Sequence, residues 1–195
     1  MTLILGILGS PRSKGNSDIL LDRALKGAAE VGAEVQKLIL NDLKSRACQG
    51  CNDCHEDGCC VQRDDLIAVY ELLEKADAVI IASPIYFSGL SSQTKMLIDR
   101  CQCLWIRNEK LGRYSSETRK RRGAFIAVGG DEKAVFRHAV GEIRAFYCAI
   151  GLVYDGEILL PGVESKGEVL SHPKALAEAE RLGNRLASNS EQNQG

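Results

Sequence analysis

The chain has 195 residues, enough for one domain with a sizeable core, and its charge is nearly balanced at 25 Lys and Arg against 26 Asp and Glu. That balance offers no basic face to nucleic acid or to an anionic membrane, and no apolar run approaches the roughly 18 residues of a spanning helix. No charged leader precedes the first apolar run, so a cytoplasmic location is expected, where thiols stay reduced and the eight cysteines are no disulfide framework.

Leu3-Ile4-Leu5-Gly6-Ile7-Leu8 is too short and too uninterrupted for an amphipathic helix and reads as a strand buried on both faces. Leu21, Ala24, Leu25 and Ala28 then fall at i, i+3, i+4 and i+7, so a helix starts near Ser17 or Asp18. The stretch Gly9-Ser10-Pro11-Arg12-Ser13-Lys14-Gly15-Asn16-Ser17 lies where strand hands over to helix. Unpaired backbone N–H groups and the positive end of a helix dipole converge at such a junction. Ser10, Ser13, Asn16 and Ser17 add neutral donors there, and Arg12 adds a bidentate cation. This is the chemistry of a phosphate cradle. The Gly-x-Gly-x-x-Gly of a dinucleotide fold and the Gly-Lys-Ser/Thr of a triphosphate loop are both missing, so a terminal monophosphate fits better. The competing reading is a loop that only turns the chain and caps the helix.

A second strand is expected over residues 34–40, and a cysteine-rich connection follows, with five of the eight cysteines between residues 48 and 60. Cys48-x-x-Cys51-x-x-Cys54 places three thiols on a tight loop, with a fourth supplied by Cys59 or Cys60. That compact spacing suits a 4Fe-4S cluster, although the Cys-Pro ending of bacterial ferredoxins is absent. Zinc is a second reading, but structural zinc more often uses two separated Cys-x-x-Cys knuckles. Reduced, unligated thiols are a third. His55, beside Cys54, reads as a solvated loop residue rather than a ligand.

Asp64 or Asp65 should cap a helix with the apolar face Leu66, Val69, Tyr70 and Leu73, and residues 77–83 form a third, wholly apolar strand. Pro84-Ile85-Tyr86-Phe87-Ser88-Gly89 reads as a turn-rich loop whose two aromatics could flank a flat ligand, before a helix through Met96, Leu97 and Cys101. Residues 106–122 read as a long polar loop ending in Arg119-Lys120-Arg121-Arg122, a solvated charge run in preference to a site for the extra phosphate of NADPH. A fourth strand over 123–128, a Gly129-Gly130-Asp131 turn and a helix bearing Phe136, Ala139, Val140 and Ile143 come next. A fifth strand over 153–160 and a helix from Pro173 with Leu176, Ala179, Leu182 and Leu186 inward complete the domain at residue 187, before a polar tail. Cys101 and Cys148 read as small core residues, and Trp105 as an interface anchor or a buried intrachain aromatic.

Five apolar strands alternating with helices make an α/β three-layer sandwich, a five-stranded parallel sheet in the flavodoxin-like order 2-1-3-4-5. In that order the carboxyl ends of the first, third and fourth strands converge, and with them the three loops.

Those loops and the cysteine motif, in this order, give a resemblance to a known family. Gly9-Ser10-Pro11-Arg12 with Asn16-Ser17, then Ser83-Pro84-Ile85-Tyr86-Phe87 followed by Lys95 and Asp99-Arg100, then Gly129-Gly130, resemble the NADPH-dependent FMN reductase group of the flavodoxin superfamily over roughly residues 3–155. The cysteine stretch is similar to that of the iron-sulfur flavoproteins within it. The resemblance implies FMN, with Ser10, Arg12, Ser13, Asn16 and Ser17 around its phosphate, and Pro84, Ile85, Tyr86, Phe87, Gly89, Gly129 and Gly130 bordering its ring system. It also selects Cys60 as fourth ligand beside Cys48, Cys51 and Cys54, because the last cysteine of such proteins stands shortly before paired aspartates, here Asp64-Asp65; Cys59 is the alternative. The function implied is electron transfer between a low-potential donor and an acceptor through FMN and a 4Fe-4S cluster. A homodimer or homotetramer is implied too, with a redox partner such as ferredoxin or a pyridine nucleotide, NAD(P)H being a candidate substrate. No general acid, nucleophile or triad is needed. Two other functions stand beside it: a cluster-free NAD(P)H-dependent FMN or quinone reductase, and a zinc-stapled flavodoxin-like binding module.

Overall fold

A computed structural model describes residues 1–112 and 121–188. The strands are β1 (Leu3–Leu8), β2 (Glu34–Ile39), β3 (Ala78–Tyr86), β4 (Gly89–Leu90), β5 (Arg122–Val128) and β6 (Val153–Leu160). The helices are α1 (Asn16–Glu30), α2 (Cys54–Asp57), α3 (Leu66–Lys75), α4 (Ser92–Arg100), α5 (Gln102–Glu109), α6 (Arg137–Ala149) and α7 (Pro173–Ser188). The parallel sheet runs β2-β1-β3-β5-β6, with β4 pairing only β3. Counting the parallel strands alone, this is the expected 2-1-3-4-5. None of the helices among the described residues is long and apolar enough to cross a membrane.

The pleat divides the apolar strands between two cores. Leu5, Ile7, Val79, Ile81 and Phe125 face α3, α4, α5 and α6 through Val69, Leu97, Leu104, Ile143 and Phe146. Ile4, Leu8, Ile80 and Ile126 face the other way, onto α1 and α7. Those two helices touch backbone to backbone. A Cβ on Gly27 would stand 2.1 Å from the Glu180 carbonyl oxygen, and one on Gly183 would stand 1.7 Å from that of Ala24. Any side chain there would force the pair apart.

Four expectations are corrected. The stretch read as a loop after residue 83 continues β3 as far as Tyr86 and turns back into β4, with Phe87 at φ 50° and Ser88 at φ 64° as the turn. Pro84 hid this, since proline argues against a central strand. It is accommodated because β1 has already ended opposite Ala82. The supposed loop from residue 106 opens in α5, whose Cys103, Leu104 and Ile106 are buried. Cys148 is exposed, not core, because α6 turns Ala139, Ile143, Phe146 and Tyr147 inward.

The basic run is the fourth. Arg121 is buried and donates through Nε to the Ala76 carbonyl at 2.9 Å, through Nη1 to that of Ile150 at 3.2 Å, and through Nη2 to that of Leu73. These are carbonyls that the ends of α3 and α6 leave unpaired, and a guanidinium satisfies them. Arg122 pairs with Asp155 at 3.3 Å. Arg119 and Lys120 lie outside the described residues.

Candidate functional site

A cleft of about 150 Å³ opens at the carboxyl edge of the sheet, lined by Ser10, Arg12, Gly15, Asn16 and Ser17, by Pro84, Ile85 and Tyr86, and by Val128, Gly130, Val163, Glu164 and Lys166. Two of the three predicted loops reach it in force, and the third contributes Gly130. Gly15 caps α1 with no side-chain hydrogen bond, which leaves the first-turn N–H groups to point into the cleft mouth. The acid of that turn, Asp18, is already engaged by the Lys14 backbone N–H at 2.7 Å and by Lys37 at 2.5 Å. Burial works against the Lys37 charge, but Asp18 and Asp22 hold its pKa above the ordinary lysine value. Ser10 is buried, and its Oγ accepts from the Arg12 N–H at 3.2 Å.

The cradle is fixed from beneath by hydroxyls. Ser91 Oγ donates to the Gly9 carbonyl at 2.6 Å and lies 2.9 Å from Thr94 Oγ1, and Ser83 Oγ accepts from the Ser91 N–H at 3.2 Å. A Cβ on Gly9 would fall 1.8 Å from Thr94 Oγ1, so only glycine lets the loop start this close to α4.

Ser13, Phe87, Gly89 and Gly129 do not line the cleft. Gly129 lies behind it, its N–H donating to the Leu160 carbonyl at 2.9 Å, while Phe87 stands fully exposed at the hairpin tip. Asn16 spends its amide on the carbonyls of Ser165 at 2.9 Å and Val163 at 3.4 Å, and its Oδ1 accepts from the Val169 N–H at 3.2 Å. It ties the loop after β6 to the cradle. Sequence reasoning missed that loop, and with it Val163, Glu164 and Lys166. The signal was present: Pro161, Gly162 and Gly167 mark a turn at the end of a parallel strand, where ligands bind.

The cysteine loop is pinned at its base. Asp65 Oδ2 accepts from the Lys44 N–H at 2.7 Å, and Asp64 Oδ2 from the Arg46 N–H at 3.3 Å. Arg100 clamps the same carboxylate, Nη1 to Oδ2 at 2.6 Å and Nη2 to Oδ1 at 3.1 Å, and Nη1 also reaches the Arg46 carbonyl at 2.7 Å. Burial pushes the Asp64 carboxyl up, but the Arg100 and backbone hydrogen bonds outweigh it and hold the group below its ordinary pKa. Its stabilisation is therefore present above the usual carboxylate range and lost as pH falls through it. Asp64→Asn leaves a fully buried guanidinium uncompensated and should cost about 3 kcal/mol. In urea titrations the wild-type midpoint should lead at pH 7, and the gap should close below about pH 4.

Cys48, Cys51, Cys54 and Cys60 line one cavity of about 40 Å³, together with Arg100 and Cys103. Burial raises the Cys54 thiol pKa, and the neighbouring Cys60, Cys51 and Cys48 thiolates raise it further. Cys59 is excluded from the cavity. Its Sγ lies 3.6 Å from Arg107 Nη2, and Arg107 is itself locked by Glu74 at 2.5 Å and the Gly58 carbonyl at 2.7 Å. Cys103 is buried beside Arg100, its Sγ 3.5 Å from that residue's carbonyl oxygen, and burial pushes its thiol up to about 11. His55 is exposed on α2. Among the described residues no three ligating side chains gather closely enough to share a single ion. Cys48, Cys51, Cys54 and Cys60 line the one cavity instead, and four thiols are the donor set a 4Fe-4S cluster takes. Trp105 is half-buried in a groove beside this loop, with Lys110 Nζ 5.8 Å from its ring centre.

Residues 2–159, most of the chain, match the NADPH-dependent FMN reductase family. The chain belongs to that family. Its curated relatives include an iron-sulfur flavoprotein of Archaeoglobus fulgidus, 36% identical over 183 residues that make up 94% of this chain and 78% of that one. An iron-sulfur flavoprotein of Methanocaldococcus jannaschii is 34% identical over 154 residues, 79% of this chain and 76% of that one. This FMN reductase family chain also superposes on a solved flavone reductase with a TM-score of 0.73 at 22% identity. That match covers 97% of this chain and 63% of the other, and shows the fold alone.

Proposed function

We propose that the protein holds FMN in the cleft and a 4Fe-4S cluster on Cys48, Cys51, Cys54 and Cys60, and passes electrons between a low-potential donor and an acceptor through the two. The observation that carries this reading is the sorting of the cysteines: the four thiols of the motif face one cavity, and Cys59 is turned away to Arg107. Bound FMN supplies hydride acceptance and stepwise electron release, and the cluster supplies single-electron transfer. The chain's part is to bind and orient. The first-turn N–H groups of α1, buried Ser10 and Ser17, and the cations of Arg12 and Lys166 hold the phosphate.

A cleft of about 150 Å³ is smaller than the roughly 300–1,000 Å³ of an ordinary ligand pocket. The ring system therefore extends from Pro84, Ile85 and Gly130 over the Tyr86-Phe87 hairpin, where a second copy in a homodimer or homotetramer covers Phe87. Residues 1–187 act as one domain in the cytoplasm, with ferredoxin or a pyridine nucleotide as redox partner.

The test is the absorption spectrum of protein purified without oxygen, with iron, sulfide, zinc and FMN counted on the same sample. Flavin bands over a broad brown shoulder, with about four irons and four sulfides per chain, are expected. Flavin without iron, with rapid NADPH oxidation, would make it a cluster-free FMN or quinone reductase. Zinc without flavin would make it a stapled binding module and overturn the cleft assignment as well.

A further inference from the structure

Arg100 does more than close the base of the cysteine loop. It ends α4 with its side chain wholly buried, and a guanidinium there has five N–H groups to satisfy. Three of the five are placed, two from Nη1 and one from Nη2, on Asp64 and the Arg46 carbonyl. Nε is buried and has no hydrogen-bond partner. Leaving such a donor unpaired is costly, and buried polar groups of folded proteins almost always find partners. The described residues leave only four buried side-chain polar atoms in this state, Ser45 Oγ, Gln62 Oε1, Arg100 Nε and Glu142 Oε2. Of their residues, Gln62 and Arg100 line the cavity shared by Cys48, Cys51, Cys54 and Cys60. The Gln62 atom is an acceptor, which thiolates and sulfides cannot satisfy. Arg100 Nε is a donor, and a sulfur anion can accept from it.

Arg100 is held through its backbone as well. Its own backbone carbonyl is occupied elsewhere, by Tyr70 Oη at 3.2 Å and Cys103 Sγ at 3.5 Å. The residue is thus fixed from three sides, with its Nε left without a partner in a side chain that lines the cavity.

We propose that Arg100 is a positioning residue of the cluster: its Nε–H donates a hydrogen bond to a sulfur of the cluster that the four cysteines hold, and so raises the cluster's reduction potential. The inference rests on the cluster reading given above. Gaining one electron makes the cluster more negative, and a hydrogen bond from a cation stabilises that form more than the oxidised one. A lysine would keep the charge beside Asp64 yet lack a planar Nε–H. Charge and donor are therefore separable by one substitution, Arg100→Lys.

Holoprotein labelled with nitrogen-15 arginine and reduced by one electron should show a weak nitrogen-15 coupling in pulsed EPR of the cluster, absent from Arg100→Lys. In redox titrations of that variant, the ratio of reduced to oxidised cluster at a fixed potential should fall about tenfold, a 59 mV shift for a one-electron couple. FMN should titrate unchanged, and iron and sulfide should stay at wild-type levels. A variant ratio within about twofold of wild type, or labelled wild-type protein with no nitrogen-15 coupling, overturns the proposal. If Arg100→Lys does not fold, the labelled wild-type spectrum decides alone. Wild-type protein without iron and sulfide sinks the cluster reading itself, whereas a loaded cluster without the coupling sinks only the role of Arg100.

Discussion

Cys60→Ser should strip the protein of iron and sulfide, from about four of each per chain to less than one, while Cys59→Ser leaves both at the wild-type level. The two residues are adjacent in sequence and equally half-buried, so neither composition nor exposure separates them. Orientation does. Cys60 faces the cavity with Cys48, Cys51 and Cys54, whereas Cys59 Sγ stands against Arg107, which Glu74 and the Gly58 carbonyl prevent from following it. Losing a weak sulfur acceptor at 3.6 Å should barely change folding. Both variants should retain FMN, because the cradle shares no residue with the cysteine loop. If Cys60→Ser keeps its iron, the next thiol on the cavity wall is Cys103, and the double variant Cys60→Ser/Cys103→Ser tests it. Cys103 is a poor substitute. It is held in α5 with its thiol pushed up to about 11, so little thiolate is available near neutral pH. The opposite outcome, iron lost from Cys59→Ser alone, would replace the assigned fourth ligand.

The parts of the fold that could be read in advance are those where burial dictates sequence locally. β1, β3 and β5 lie inside the sheet with both faces covered, so they are continuous apolar runs, and their alternation with α1, α3 and α6 leaves few topologies. The joint between β1 and α1 is legible for the same reason, as a serine- and glycine-rich stretch between two clearly periodic elements. What escaped depends on contacts between residues far apart in the chain. Arg121 looks like one member of a solvated charge run until the ends of α3 and α6 arrive with unpaired carbonyls. Asn16 looks like a phosphate donor until the loop after β6 claims both ends of its amide. Arg100 and Asp64 stood out as motif positions, but that one guanidinium joins α4 to both edges of the cysteine loop is a fact of tertiary structure alone. Pro84 misled in the other direction. A local rule against proline in central strands lost to the early end of β1.

Arg12→Ala should weaken FMN binding by about 1.5 to 3 kcal/mol, roughly ten- to a hundredfold in Kd, because a charge-assisted contact to phosphate is lost. The guanidinium is exposed. It reaches the Glu164 carbonyl at 3.4 Å, at the long limit of a hydrogen bond, so little native structure depends on it and thermal stability should change little. Riboflavin, which is FMN without the phosphate, separates the roles: its affinity should be the same in wild type and variant if Arg12 meets only the phosphate. Equal losses for FMN and riboflavin would place Arg12 against the ring instead. Unchanged FMN affinity would hand the phosphate to Lys166 and the α1 N–H groups, since these are the other positive features of the cleft. Lys166→Ala should add a smaller loss, because an ammonium on an exposed loop contacts phosphate as a point charge and lacks the paired geometry of a guanidinium. Both losses should shrink as salt is raised, while the part of FMN binding supplied by the first-turn N–H groups, directed from the backbone and partly shielded by Ser10 and Ser17, should persist.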